Sequence, residues 1–95
     1  MKEKRSAEQF YADLRIKLEE QHEFPSLYVF KFIIPNDNHK LALAEALFGP
    51  EAQVTIRQSS KGNFVSVTGK EIMISADKVI ERYQKAAEIE GVVSL

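Results

Sequence analysis

Leu27-Tyr28-Val29-Phe30-Lys31-Phe32-Ile33-Ile34 is the stretch on which the fold turns. Successive side chains of an extended chain point to opposite faces. Tyr28, Phe30, Phe32 and Ile34 therefore share one face, and Leu27, Val29, Lys31 and Ile33 share the other. The aromatic face is the stronger candidate for the core. The second face is mostly apolar too, which makes this a central strand and predicts a partial cover over it. Lys31 interrupts the run, which is far shorter than the ~20 apolar residues of a spanning helix.

Upstream, Ser6 opens a helix, and Gln9 three residues later completes a capping-box pattern. Phe10, Tyr11, Leu14 and Leu18 recur at helical spacing and form one stripe. Charged residues, from Glu8 to Glu20, fill the gaps. The helix is predicted to end before Phe24-Pro25, because proline disfavours helical geometry in the residue before it.

Downstream, Pro35-Asn36-Asp37-Asn38 is a turn rich in N-cap candidates. A short helix follows, with Leu41, Ala44, Leu47 and Phe48 on its apolar side and Gly49-Pro50 at its end. Gln53 to Gln58 alternates Val54 and Ile56 against Gln53, Thr55 and Arg57, a strand with one wet face. Ser59-Ser60-Lys61-Gly62-Asn63 is a tight connection to a second strand, Phe64 to Ile74. In that strand Val65 and Val67 are odd-numbered, whereas Ile72 and Ile74 are even. The switch, with Gly69 between, predicts a β-bulge; the rival is a Gly69-Lys70 hairpin turn. Ser75 caps a third helix with Val79, Ile80, Tyr83, Ala86 and Ala87 inward. Gly91 stops it, and Val92 to Leu95 is a short last strand.

A helix followed by βαββαβ is an α+β chain: a ferredoxin-like sandwich with an additional N-terminal helix. The expected organisation is a helical extension over residues 1–23 and a ferredoxin-like domain over 24–95. Three seats are open to the extension: the bare sheet face over Val29 and Ile33, a sheet edge, or a dimer contact.

Composition narrows the function. Ninety-five residues make one domain, and 44% hydrophobic with 28% charged residues suffices for a core. Thirteen basic residues face fourteen acidic ones, so the net charge of -1 gives no general pull toward nucleic acid or acidic lipid. There is no cysteine, which removes disulfides, thiolate metal sites and cysteine nucleophiles. The charged start Met1-Lys2-Glu3-Lys4-Arg5 is not followed by the apolar segment of a signal peptide. A membrane protein, a disulfide scaffold and a multidomain enzyme are excluded, and the cytoplasm is the expected location.

Several segments together resemble the YbeD-like family of small bacterial proteins, a family without an assigned function. They are Phe24-Pro25, the aromatic strand after it, Ser59-Ser60-Lys61-Gly62-Asn63-Phe64, Ser66-Val67 and the closing Gly91-Val92-Val93. The Ser-Ser-Lys-Gly-Asn-aromatic run is the most specific of these. The resemblance covers about three quarters of the chain. It implies a ferredoxin-like sandwich similar to ACT regulatory domains, and with it a regulatory or ligand-sensing role. It carries no catalytic residue across. Two features depart from the family's pattern: the capped helix before Phe24 is longer, and the link from the first strand to the hairpin is shorter.

Arg57 with the loop Ser59, Ser60, Lys61, Gly62 and Asn63 is the candidate binding site. Hydroxyls, two cations and backbone amides beside a glycine suit an anion-binding nest. The same residues also suit a plain β-connection with lysine guarding an edge. Lys31 is placed to share the sheet face with Arg57. Glycine spacing for a Walker loop is absent. Pro35-Asn36-Asp37-Asn38 stands where ACT-type sensors carry a glycine-containing ligand loop, but it has no glycine and serves equally as a helix cap. His22 and His39 lack convergent partners and read as solvated surface histidines. No Gly-x-Ser-x-Gly elbow occurs, and Glu19-Glu20 lies on a polar helix face. Lys61-Gly62 before Phe64 echoes an RNA-recognition signature, yet Asn63 stands where an aromatic belongs. The expected function is a non-enzymatic binding domain acting in regulation or protein–protein interaction, without cofactor or metal. The alternative is an ACT-like sensor of a small anionic metabolite or amino acid. The partner is then another protein, a small anion or a second copy of the chain.

Overall fold

The computed structural model describes residues 6–95. The charged segment Met1–Arg5, on which the signal-peptide reading rests, lies outside the described residues. α1 spans Ala7–Gln21, and the Ser6 hydroxyl accepts the Gln9 N–H at 3.1 Å. The Gln9 side chain reaches forward to Asp13, not back to Ser6, so half of the capping box forms. β1 (Ser26–Pro35) leads through the Asp37 N-cap into α2 (Asn38–Glu45). β2 (Gln53–Gln58) and β3 (Phe64–Met73) form a hairpin. Ser75 caps α3 (Ala76–Ala86), and β4 (Val93–Ser94) closes the chain.

The sheet order is β2-β3-β1-β4, with every neighbouring pair antiparallel. With α1 in front, this is the expected ferredoxin-like arrangement. The aromatic face of β1 is the core: Phe30, Phe32 and Ile34 are fully buried with Val67 and Val79. Each such side chain contributes about 1.5–3 kcal/mol of hydrophobic stabilisation.

Four expectations need correction. β3 has no bulge and no turn at Gly69; its register with β1 runs unbroken from Pro35↔Phe64 to Ser26↔Met73. Ile72 and Ile74 are exposed, and Met73 is the buried residue. The partial cover expected over the second face of β1 is not supplied by α1, whose seat the sequence left open, and Leu27 and Val29 stay exposed. α1 lies beside α3, where Leu18 enters the core and Arg15 meets Asp77 at 3.1 Å. Tyr11 and Leu14 of its stripe pack against the same core cluster as Tyr28 and Tyr83. α3 ends at Ala86, with Ala87 exposed; a turn then drops Ile89 into the core before Gly91. Gly91 has φ +83°, and a Cβ there would stand 2.8 Å from Pro35 Cγ. Finally, both faces of β2 are exposed, because Val54 and Ile56 point to the helix side but overhang its rim.

The Tyr28 and Tyr83 hydroxyls share a hydrogen bond of 2.9 Å. Burial, and secondly that bond, hold the Tyr83 phenol above its usual range. The unfolded phenol ionises near pH 10 while the folded one stays neutral, so stability falls as pH rises beyond about 10. Tyr83→Phe is expected to cost about 1 kcal/mol at neutral pH and to flatten the alkaline decline. Urea midpoints at pH 8 and pH 11 for both proteins check this; equal alkaline slopes contradict it.

Candidate functional site

The strand register brings the sequence candidates onto the sheet face opposite the helices. One row runs Arg57, Ser66, Ile33 and Val93 across all four strands. The next row is Thr55, Thr68 and Lys31, followed by Gln53, Lys70 and Val29, then Ile72 and Leu27. Lys31 thus shares the face with Arg57, as its parity predicted. Leu27 is 56% exposed, Val29 49% and Ile72 61%. Lys31, Arg57 and Lys70 are the charged members of these rows, and no carboxylate stands among them. Among the described residues none of the three has an ion-pair partner, whereas Arg15, Lys78 and Arg82 on the helix side all do.

The loop at the end of this face is a closed turn. Ser59 N–H donates to the Phe64 carbonyl, and the Ser59 hydroxyl accepts the Phe64 N–H at 3.2 Å. The Gly62 N–H bonds to the Ser59 carbonyl, and Gly62 adopts φ +76°, a conformation that favours glycine. Asn36 braces the turn from the other candidate loop. Its Nδ2 donates to the Gly62 carbonyl at 2.7 Å and its N–H to the Asn63 carbonyl at 2.9 Å. The sequence pointed to both loops but did not join them. The Ser59 hydroxyl and Gly62 amide are therefore engaged in the turn itself, and Ser60 and Lys61 stand exposed at its tip.

Beside the turn lies a shallow depression of about 220 Å³ lined by Arg57, Ser59, Ser66, Ile33 and Phe64. It offers the Arg57 guanidinium over an apolar floor, with the Ser59 hydroxyl accepting from Phe64 N–H and the Ser66 hydroxyl donating to the Arg57 carbonyl at 3.5 Å, so the guanidinium is the group suited to charge-assisted hydrogen bonding to an anion. A second concavity of about 280 Å³ lies between α1, α3 and β4, with Phe10, Leu14, Tyr83 and Leu95 in its walls. It gathers none of the sequence candidates; it exists because α1 packs beside α3, which local pattern does not reveal. His22 is not a solvated surface residue: its ring lies half-buried against Phe24 and Tyr28, at 5.6 and 5.4 Å. His39 is exposed on α2. Among the described residues no group of three or more His, Cys, Asp or Glu is placed to hold a metal ion. No described helix is long and apolar enough to cross a membrane.

A model of the family described as "Protein of unknown function (DUF493)" matches residues 19–95. The chain belongs to that family. The DUF493 match spans the whole βαββαβ unit and the last turn of α1, so the resemblance to YbeD-like proteins holds. A UPF0250 protein of Shewanella oneidensis is 32% identical over 85 residues, covering 83% of this chain and 94% of the relative. UPF0250 proteins of Shewanella sp. strains ANA-3 and MR-4 show the same identity and coverage. No solved structure matches the chain.

Proposed function

We propose that this DUF493 protein is a non-catalytic binding domain of the bacterial cytoplasm, acting in regulation or protein–protein interaction. It engages its partner at the end of the open sheet face where Arg57 and the Ser59–Asn63 loop stand. One observation carries the reading: a bare sheet face on which exposed aliphatic side chains alternate with cations that have no ion-pair partner among the described residues. Exposed apolar area rimmed by polar groups marks interaction sites. The cations and hydroxyls there can hold a partner; they form no acid–base pair.

Amide NMR titration with separated small-molecule and macromolecular fractions of a bacterial lysate tests it. Shifts are expected at Arg57, Ser60, Lys61 and the face residues. Arg57→Ala with Lys61→Ala is expected to weaken binding at least about tenfold, since a hydrogen bond to a charged group contributes about 1.5–3 kcal/mol. Binding unchanged in that variant overturns the site.

A second reading is favoured by the junction of the Asn36 and Ser59–Asn63 loops beside the Arg57 depression. It is a sensor of a small anionic metabolite or amino acid, as in ACT-like domains. A ligand that binds only the folded state raises the melting temperature. A rise with the small-molecule fraction alone selects this reading, and line broadening with the macromolecular fraction alone selects the first.

A further inference from the structure

We propose that the occupant of the open sheet face is an acidic amphipathic helix of a protein partner. The proposal rests on the binding reading above and names the chemistry of the partner. Charge complementarity carries it. Lys31 and Lys70 are diagonal neighbours across the β1–β3 pair, and Arg57 stands on the adjacent β2 strand. Like charges at such spacing repel; no carboxylate stands in the paired strand rows, and Glu51, ahead of β2, lines the end of the face with Leu27, Lys70 and Ile72 without forming an ion pair with Lys70 among the described residues. The chain as a whole has a net charge of -1, so the basic character is local to this surface.

The apolar side chains select among anions. Leu27, Val29, Ile33, Ile72 and Val93 are aliphatic, and Phe64 is the lone aromatic of the face, at its far end. Bases of single-stranded RNA need aromatic platforms to stack on. Aliphatic side chains instead match the leucine-type stripe of a helix. A second copy docked face to face would bring together two faces whose charged strand positions are all basic, Lys31, Arg57 and Lys70. Strands lie about 4.8 Å apart and a helix is about 10 Å across, so one helix along β1 and β3 covers both. The stems of Lys31 and Lys70 then lie along its sides with their ammonium groups toward its flanking carboxylates.

Three probes and one control test this: an 18-residue helical peptide with a leucine stripe flanked by glutamates, its lysine-for-glutamate analogue, a 12-nucleotide oligouridine, and sedimentation of the protein alone. The glutamate peptide is expected to shift the methyl signals of Val29, Ile33 and Ile72, with affinity that falls as salt rises. Lys31→Glu with Lys70→Glu is expected to weaken that peptide at least about tenfold and to gain the lysine peptide; unchanged Phe30 and Val67 signals show that the variant is folded. No shifts with the glutamate peptide overturn the proposal. So do equal affinities for the two peptides, tighter binding of the RNA, or a dimer that occludes the face. If lysate macromolecules shift the face and the glutamate peptide does not, the binding reading stands and this partner class falls.

Discussion

Gly69→Val is expected to destabilise the protein by about 3 kcal/mol, the upper end of overpacking costs. Gly69 is buried on the helix side of β3, and a Cβ built on it collides with the Phe48 ring, whose Cδ1 is 2.7 Å away. The ring has little room to retreat, because Phe30 and Phe32 stand behind it at centroid distances of 6.0 and 6.2 Å. For a domain with about 5–15 kcal/mol of total stability, that is a large fraction. Phe48→Ala alone is also costly, about 3 kcal/mol or more. The double variant should cost clearly less than the sum, with a coupling of about 1 kcal/mol or more. Urea denaturation of the four proteins measures it; additive losses would mean that Phe48 does not fill the space over Gly69.

That same glycine explains where sequence reasoning failed. A strand is assigned to a face by asking which positions are apolar. In β3 two core-side positions carry no apolar side chain: Gly69, whose space Phe48 fills, and Glu71, which pairs with Arg82. Both partners come from other elements, so the local pattern loses its parity at Gly69 and mimics a bulge that the strand does not contain. The aromatic run of β1, the Ser6 and Ser75 N-caps and the order of elements were legible because each depends on residues adjacent in sequence or on chain order; the turn before α2 offered several caps without singling out Asp37. The seat of α1 was not. It is decided by Leu18 entering the core and by Arg15 meeting Asp77, 62 positions away. At the candidate site Arg57 and the Ser59–Asn63 loop could be selected from residue chemistry. That Asn36 of the other candidate loop braces them was not legible, because two loops far apart in sequence meet only once β1 and β3 are in register.

Arg82→Ala is expected to cost about 3 kcal/mol, near the lower end for breaking a buried ion pair, since the pair keeps some exposure. Arg82 Nη1 lies 2.8 Å from Glu71 Oε1, with the two side chains 14% and 17% exposed. The guanidinium also sits over the Phe30 and Phe48 rings, at 5.1 and 5.3 Å. Removing it strips Glu71 of its counter-charge and both rings of a cation–π contact. Arg82→Lys should recover little, because an ammonium lacks the planar fork that meets carboxylate and rings together. Arg82→Met with Glu71→Met should be far milder than Arg82→Ala or Glu71→Ala, as apolar replacement of a whole pair often is. Thermal or urea unfolding ranks the four, and a double-methionine protein as unstable as Arg82→Ala contradicts the account. The pair also bears on the open face. Glu71 lies between Lys70 and Ile72, which point the other way. A slip of one residue in β3 would place Glu71 on the open face and turn Lys70 and Ile72 toward the core. By holding Glu71 on the helix side, Arg82 opposes that slip and keeps the carboxylate away from Lys31, Arg57 and Lys70. The double-methionine variant should therefore retain the binding behaviour of the face wherever it retains the register, which the amide shifts of Val29 and Lys70 report directly.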